Sequence, residues 1–369
     1  MQRHRLVSLA LSALMFACGA LTSAASAQNG GALYTMSNSP AGNTVLVYDR
    51  AADGTLHLAA TVPTGGRGTG GGLGNQGGLM VSKDNHWLVV VNAGSDDLSV
   101  FAIGTQGLRL TDRDRSDGDR PISVTMQGDI IYVLNAGSDS VSGFVLTRHG
   151  RLQKLFGSRR ALSAKGTDPA QLEFSPDGRT LLVTEKATNR LTAFPVFYGS
   201  VLGHRDSIAA TGNTPFGFAF GRRSQVLVSQ AEGGQAGLST LASYRIDRTS
   251  DVTAVGAPVP TTQTAACWVA VTLDHRFAYT TNTGSDTISG FNVSAAGQLT
   301  PLSGNSVVGS VAAGGTPIDM GITDDNRYLY VLNSGTRSIE GFRIGTGGGL
   351  SSLGSVSGLP QGVNGLAVR

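Results

Sequence analysis

Four charged residues in the middle of the chain have types and spacing suited to acid–base chemistry. Glu185 and Lys186 are adjacent, and Asp168 and Arg120 precede them along the chain. A carboxylate beside cations can act as a general base or hold a ligand, while the cations can stabilise negative charge that develops on an oxygen. The same side chains can also form structural ion pairs. Which role applies depends on the elements that carry them.

These residues belong to a chain that is built from a repeated unit. The clearest copy, residues 129–146, contains an apolar run, a turn-forming stretch and a second apolar run, which is typical of a β-hairpin. The last residue of the first run recurs every 43 to 54 residues, at Asn38, Asn92, Asn135, Glu185, Gln230, Asn282 and Asn333. Seven units of this length predict the four-stranded blades of a seven-bladed β-propeller.

Each unit also has a strand before the hairpin and one after it, so we label the strands of a blade A, B, C and D. The first unit lacks a strand A, and residues 365–369 fit that pattern after the seventh strand D. We therefore expect residues 365–369 to pair with residues 32–38, which closes the ring and removes an exposed sheet edge. The predicted fold class is all-β, a seven-bladed β-propeller whose C-terminal strand pairs in the N-terminal blade.

The strand order places the candidate residues on one face of the ring. Strands alternate in direction, so the D–A connections and the B–C turns emerge on the same face, where the central channel has its mouth. The residues predicted at this mouth are Arg120, Asn135, Asp168, Gln171, Glu185, Lys186, Trp268, Asn282 and Asn333. The asparagines also suit turn formation, and Glu185 also suits an ion pair with Lys186 or Arg120.

The first 27 residues have the pattern of a secretory signal peptide. Arg3 and Arg5 precede an apolar run at 6–21, and the small residues at 25–27 offer a cleavage site. We expect residues 28–369 to be a single propeller domain, exported to the periplasm or secreted, without a membrane span and monomeric. Cys267 is the only cysteine of that domain, so no internal disulfide is expected.

Composition argues against several kinds of partner. The chain has 28 Lys and Arg against 25 Asp and Glu, and two of the arginines lie in the predicted signal peptide, so the domain is almost neutral. This balance gives no support for a nucleic acid or an anionic membrane as partner. The histidines of the domain fall in outer strands or in turns away from the mouth. We therefore expect no histidine base, no metal site and no cofactor.

Residues 66–77 contain two matches to the pattern G-x-G-x-x-G. A dinucleotide site needs a strand before this pattern and a helix after it, so that helix amides meet the pyrophosphate, and here a strand follows instead. The glycines therefore predict a flexible connection between the first two blades.

The repeats, the turn Ser175-Pro-Asp-Gly-Arg179 and the hairpins that end in Asn resemble the seven-bladed lactonase family. This family includes propellers of the 6-phosphogluconolactonase and carboxymuconate-lactonizing types. The resemblance covers essentially all of residues 28–369. It implies that a small molecule, a lactone or a sugar derivative, binds at the mouth.

The resemblance also implies a mechanism. Water would attack the lactone carbonyl with Glu185 or Asp168 as catalytic base, and the substrate-binding residues Arg120, Lys186 and the ring asparagines would stabilise the oxyanion. The family motif Gly-x-x-Pro-Arg-His corresponds to residues 166–171, where Ala170 and Gln171 stand at the Arg and His positions. Two hypotheses follow: an exported lactone hydrolase, and a non-catalytic binding or surface propeller.

Overall fold

The computed structural model describes residues 30–369, and the predicted signal peptide lies outside the described residues. Thirty-two strands, numbered in chain order, form seven antiparallel sheets. Blade 1 contains β1 (Gly31–Met36), β2 (Thr44–Arg50), β3 (Leu56–Pro63) and β32 (Asn364–Val368), and blade 2 contains β4 (Leu79–Val81), β5 (Trp87–Asn92), β6 (Asp97–Gly104) and β7 (Gly107–Arg115). Blade 7 contains β28 (Pro317–Ile322), β29 (Tyr328–Asn333), β30 (Ser338–Ile344) and β31 (Leu350–Ser357).

The other four blades have five strands each. Blade 3 contains β8 (Pro121–Gln127), β9 (Ile130–Asn135), β10 (Ser140–Leu146), β11 (Leu152–Lys154) and β12 (Arg160–Ala161). Blade 4 contains β13 (Pro169–Phe174), β14 (Thr180–Glu185), β15 (Arg190–Phe197), β16 (Val201–Leu202) and β17 (Asp206–Ala209). Blade 5 contains β18 (Pro215–Phe220), β19 (Gln225–Gln230), β20 (Thr240–Ile246), β21 (Val252–Ala254) and β22 (Val259–Pro260), with short 3-10 helices at Arg222–Ser224 and Glu232–Gly234. Blade 6 contains β23 (Ala266–Val271), β24 (Phe277–Asn282), β25 (Thr287–Val293), β26 (Leu299–Pro301) and β27 (Val307–Ser310).

In these four blades the outer position D holds two short strands, where the sequence predicted one. In blade 3, β11 pairs with one end of β10 and β12 pairs with the other. A tight turn separates them, with a hydrogen bond from the Ser158 amide to the Leu155 carbonyl and a positive φ of 67° at Gly157. The turn interrupts the outer edge, which leaves short edges rather than a long exposed one.

The ring closes as the sequence predicted. Strand β32 pairs antiparallel with β1, with Leu33 opposite Val368 and Met36 opposite Asn364. The backbones of Ala32 and Arg369 exchange hydrogen bonds of 2.9 and 3.2 Å. The C-terminal strand is therefore strand A of blade 1, and all seven blades have a strand beside the channel.

Neighbouring blades are joined through tyrosine hydroxyls. The hydroxyl of Tyr330 in blade 7 donates to the Gly54 carbonyl in blade 1, and the hydroxyl of Tyr279 in blade 6 donates to the Gly348 carbonyl in blade 7, at 2.6 and 2.8 Å. Both glycines have φ above +80° and lie against an aromatic ring, which a Cβ would meet at less than 3 Å. The glycines of the C–D turns are therefore required by both backbone conformation and blade packing.

The aspartates of the repeated B–C turns hold the connection into the next blade. Asp139 accepts hydrogen bonds from the backbone amides of Gly166 and Thr167, and Asp286 accepts them from those of Gly314 and Thr316. These bonds satisfy amides that the loops would otherwise leave without partners. The turns thereby position the loops at the mouth of the channel.

Candidate functional site

The second half of the glycine-rich connection crosses the central channel. We call residues 73–77 the plug. The Gln76 side chain exchanges hydrogen bonds of 2.8 and 3.1 Å with the backbone of Val269 in blade 6. The backbone amide of Gln76 donates to the Ala170 carbonyl in blade 4 at 3.1 Å. The Val124 amide of blade 3 donates to the Gly77 carbonyl at 2.8 Å. This segment is fixed to three blades, which differs from the flexible connection expected from its glycines.

Lys186 fastens the plug to blade 4. Its ammonium donates to the carbonyls of Gly74 and Pro169 at 2.6 and 3.1 Å, and it lies 4.9 Å from the centre of the Phe216 ring. Burial lowers the pKa of Lys186, the nearby carboxylate of Asp168 opposes that shift, and the charge of Arg120 adds to it. The sequence did not predict that the plug is the main partner of Lys186.

Asp168 and Lys186 form the charged pair of the mouth. The Asp168 carboxylate lies 3.5 Å from the Lys186 ammonium, and its side chain is 59% exposed whereas that of Lys186 is 8% exposed. Arg120 is also exposed at the mouth. Arg120 and Asp168 each precede the first residue of a strand A and have positive φ values of 51° and 44°. The structure therefore brings together three of the predicted site residues.

Glu185 lies elsewhere. It is completely buried, and its carboxylate accepts hydrogen bonds from the amide and hydroxyl of Ser163 and from the hydroxyls of Thr188 and Thr192. Within residues 30–369 it forms no ion pair with Lys186 or Arg120. Its carboxylate is therefore committed to the connection between blades 3 and 4, and the structure does not present it at the mouth.

The three predicted ring asparagines are also buried inside their blades. Asn135 donates to Ser142, Asn282 donates to Ser289, and Asn333 donates to Ser338, each within its own hairpin. None of the three is exposed. These contacts join strand B to strand C, and the structure does not present the three side chains at the mouth.

Gln171 and Trp268 support the hub from below the mouth. Gln171 exchanges hydrogen bonds of 2.7 and 2.9 Å with the backbone of Phe218 in the next blade. The Trp268 indole donates to the Asn75 carbonyl of the plug at 2.7 Å, and its ring lies 4.9 Å from that of Phe216. Both side chains are buried, so they position neighbouring backbone and do not reach solvent.

We also considered the Cys267 thiol as a nucleophile and the described residues as metal ligands. Burial raises the pKa of the Cys267 thiol to about 12, so thiolate chemistry at neutral pH is disfavoured. Residues 30–369 contain no group of three or more His, Cys, Asp or Glu side chains arranged to hold a metal ion.

Below the plug, the channel contains a cavity of about 130 Å³. Two carboxyl groups line it, Glu173 and Asp319. Burial raises the pKa of Glu173 to about 8, and the charge of Lys83 and a hydrogen bond from Gln171 oppose that shift. Burial also raises the pKa of Asp319 well above its usual range, although Asp319 accepts the amides of Met320 and Leu366. Neither carboxyl group was among the site residues predicted from the sequence, where the only signal was a carboxylate within an otherwise apolar strand A.

The raised pKa of Glu173 predicts a dependence of stability on pH. Between pH 4.5 and about 8 the folded chain holds a proton that the unfolded chain has released, so the free energy of unfolding falls as pH rises. We expect the free energy of unfolding to fall by about 2 kcal/mol across this window. This is less than the full pKa shift would give, because the Glu173 side chain is only half-buried and solvent screens its charge. Glu173→Gln should remove most of this loss, and the slope that remains comes from Asp319.

Urea unfolding at pH 5, 6.5 and 8 measures the effect. Asp206→Asn, which removes an exposed carboxylate, is the matched control and should keep the full pH dependence. Parallel pH profiles for the wild-type protein and Glu173→Gln would show that Glu173 is not the titrating group.

The fold and the mouth define a closed seven-bladed propeller with a plugged channel and a small charged site on one face. The family model described as "Lactonase, 7-bladed beta-propeller" matches residues 24–163 and 237–364. Because the match covers well over half of the chain, the protein belongs to the seven-bladed β-propeller lactonase family. This confirms the resemblance inferred from the repeats.

Solved structures have the same fold at low sequence identity. The periplasmic gluconolactonase of Pseudomonas aeruginosa superposes with a TM-score of 0.71 at 17% identity, covering 92% of this chain and 98% of that chain. A protein from Lactobacillus plantarum superposes with a TM-score of 0.73 at 17% identity, covering 92% and 99%. A search of curated proteins by sequence found no match. Among residues 30–369, no helix has the length and apolar character needed to span a membrane.

Proposed function

We propose that the protein hydrolyses a small lactone at the mouth, with Asp168 as general base and Arg120 stabilising the oxyanion. The observation that carries the proposal is the Asp168 carboxylate, which is mostly exposed yet held 3.5 Å from a buried ammonium. Such a carboxylate can reach a water molecule, and its orientation is restrained by the pair with Lys186. Membership of the lactonase family supports a lactone as the substrate.

In the proposed reaction Asp168 accepts a proton from water while the water oxygen attacks the lactone carbonyl. The carbonyl oxygen becomes negatively charged, and the exposed Arg120 guanidinium offers charge-assisted hydrogen bonds to it. The ring C–O bond then breaks, and the leaving alkoxide takes the proton from Asp168. The product is a hydroxy acid, and the carboxylate returns to its starting form.

Asp168→Asn is the direct test. We expect it to lower kcat/KM for the best lactone by about 100-fold, because an amide cannot accept the proton. The assay measures acid release from gluconolactone, butyrolactone and dihydrocoumarin, and Asp206→Asn should keep the wild-type rate. Equal rates for Asp168→Asn and the wild-type protein would rule out Asp168 as the base.

The second candidate function is a non-catalytic binding propeller. It is favoured by the contacts of Lys186, since two carbonyls and Asp168 already engage the ammonium and leave it little capacity for an oxyanion. If no lactone in the panel is hydrolysed, calorimetric titration with the same lactones and their hydroxy acids distinguishes a binding site from an unused surface.

We also propose that the protein acts outside the cytoplasm. The support is the signal-like pattern of residues 1–27 and the fold shared with a Pseudomonas aeruginosa gluconolactonase described as periplasmic. An exported enzyme would meet unphosphorylated sugar lactones rather than a cytosolic sugar phosphate. Fractionation of cells that express the full chain tests this location.

A further inference from the structure

Four apolar side chains are exposed together on the outer rim of blades 3 and 4, and we call them the rim patch. They are Phe156, Phe197, Tyr198 and Val201. Phe156 is fully exposed and Tyr198 is 98% exposed. In the described part of the chain, the three large aromatic side chains with the greatest exposure all lie in this patch. An exposed aromatic cluster of this kind usually marks an interaction surface.

Two turns from different blades carry the patch, and the structure joins them. Phe156 lies in the turn between β11 and β12, and Tyr198 lies in the turn between β15 and β16. The Arg160 guanidinium donates to the Gly157 carbonyl beside Phe156 and to the Leu202 carbonyl beside Val201. The Tyr132 hydroxyl donates to the Ser200 carbonyl at 2.7 Å. The aromatic side chains are therefore presented on fixed turns of one surface.

The chain segment that carries Phe156 is strongly basic. Residues 148–165 contain six Lys and Arg and no Asp or Glu; five of them belong to the outer part of blade 3, and Lys165 lies in the D–A connection on the mouth face. Two of the six are paired with aspartates of blade 2, Arg151 with Asp112 at 3.4 Å and Lys154 with Asp117 at 3.7 Å. Within residues 30–369, Arg159 beside the patch has no ion-pair partner. The near-neutral total charge of the chain conceals this local excess.

We infer that the rim patch docks the protein on an anionic lipid surface. Aromatic rings with apolar bodies suit the boundary between headgroups and acyl chains, while arginines beside them suit lipid phosphates. A second copy fits less well, because a symmetric dimer through this patch would bring two basic surfaces together. The inference does not depend on the proposed lactone hydrolysis.

The position of the patch leaves the mouth free. Tyr198 lies in a C–D turn, and the C–D turns emerge on the face opposite to Asp168 and the D–A connections. A protein that rests on a membrane through blades 3 and 4 therefore keeps its mouth open to solvent.

The test is cosedimentation of the chain from residue 28, which contains every strand of the ring, with vesicles of phosphatidylglycerol and phosphatidylcholine or of phosphatidylcholine alone. We expect binding to the anionic vesicles only. Phe156→Ser with Tyr198→Ser should lower the partition coefficient at least about tenfold, and Arg159→Ala should lower it about fivefold. Added salt should weaken binding of the wild-type protein.

Two matched variants serve as controls. Leu58→Ser with Leu273→Ser removes exposed apolar side chains elsewhere, and Arg248→Ala removes an exposed arginine from blade 5; both should bind like the wild-type protein. Thermal unfolding checks that every variant is folded. Three results would overturn the inference. They are equal binding to neutral and anionic vesicles, undiminished binding by the double variant Phe156→Ser with Tyr198→Ser, and a wild-type dimer that the double variant converts to monomers.

Discussion

Deletion of residues 364–369 is expected to abolish cooperative folding of the ring. These residues form strand A of blade 1, and their loss leaves the inner edge of β1 unpaired. Among them, Leu366 is buried in the hub, and its amide donates to the Asp319 carboxylate at 3.1 Å. A buried carboxylate without this donor and an open sheet edge in an apolar hub together cost a large share of the 5–15 kcal/mol typical of a domain. We expect the shortened chain to aggregate.

Size-exclusion chromatography and urea unfolding measure this outcome. The matched control moves residues 359–369 ahead of residue 30 through a two-residue turn, which is feasible because Arg369 and Ala32 already exchange hydrogen bonds. This rearranged chain contains the same strand and should fold. If the shortened chain unfolds in a single transition at the midpoint of the full chain, closure by β32 does not hold the ring together.

Glu185→Ala is expected to lower the free energy of unfolding by about 4 kcal/mol. The substitution removes the acceptor of four hydrogen bonds inside a fully buried site and leaves the amide and hydroxyl of Ser163 and two threonine hydroxyls without it. Each buried donor that loses its partner costs about 1–3 kcal/mol, partly recovered where a hydroxyl rotates to another acceptor. The lost side-chain volume adds a cavity.

Glu232→Ala is the control for the same B–C region of the next blade. Glu232 is only half-buried and accepts bonds from the amide and side chain of Asn213, both at 3.0 Å, so its removal should cost about 1 kcal/mol. Urea unfolding compares the two variants. If the Glu185→Ala protein keeps its stability but loses lactone turnover, Glu185 acts in catalysis and its structural role is contradicted.

The sequence was sufficient to predict the number of blades, the order of strands within each blade and the strand that closes the ring. These features repeat in each unit, so a strand assigned in one unit can be checked against the same position in the others. The broken outer edges of blades 3 to 6 were not predicted, because the outer strands have few buried residues and therefore a weak apolar pattern.

The positions of the site side chains were harder to predict than the strands, because they depend on contacts between distant parts of the chain. Glu185 is an example. Its place at the end of strand B is readable from the repeat, but whether its carboxylate enters the channel or the blade depends on Ser163, which lies in a connection from another blade. The plug shows the same limit. Glycines indicate freedom in the local backbone, while the order of residues 73–77 comes from hydrogen bonds with blades distant in the chain.

The sequence by itself determined that this chain forms seven similar sheets around a hub and that Asp168, Lys186 and Arg120 belong to the same face. Only the tertiary structure decided which carboxylate meets solvent, that the hub is plugged, and that a basic segment of blade 3 lies beside exposed aromatic residues of blade 4. Local patterns encode strands and turns because those depend on near neighbours. Burial, charge pairing and access depend on which distant segments meet, so they follow only from the closed ring.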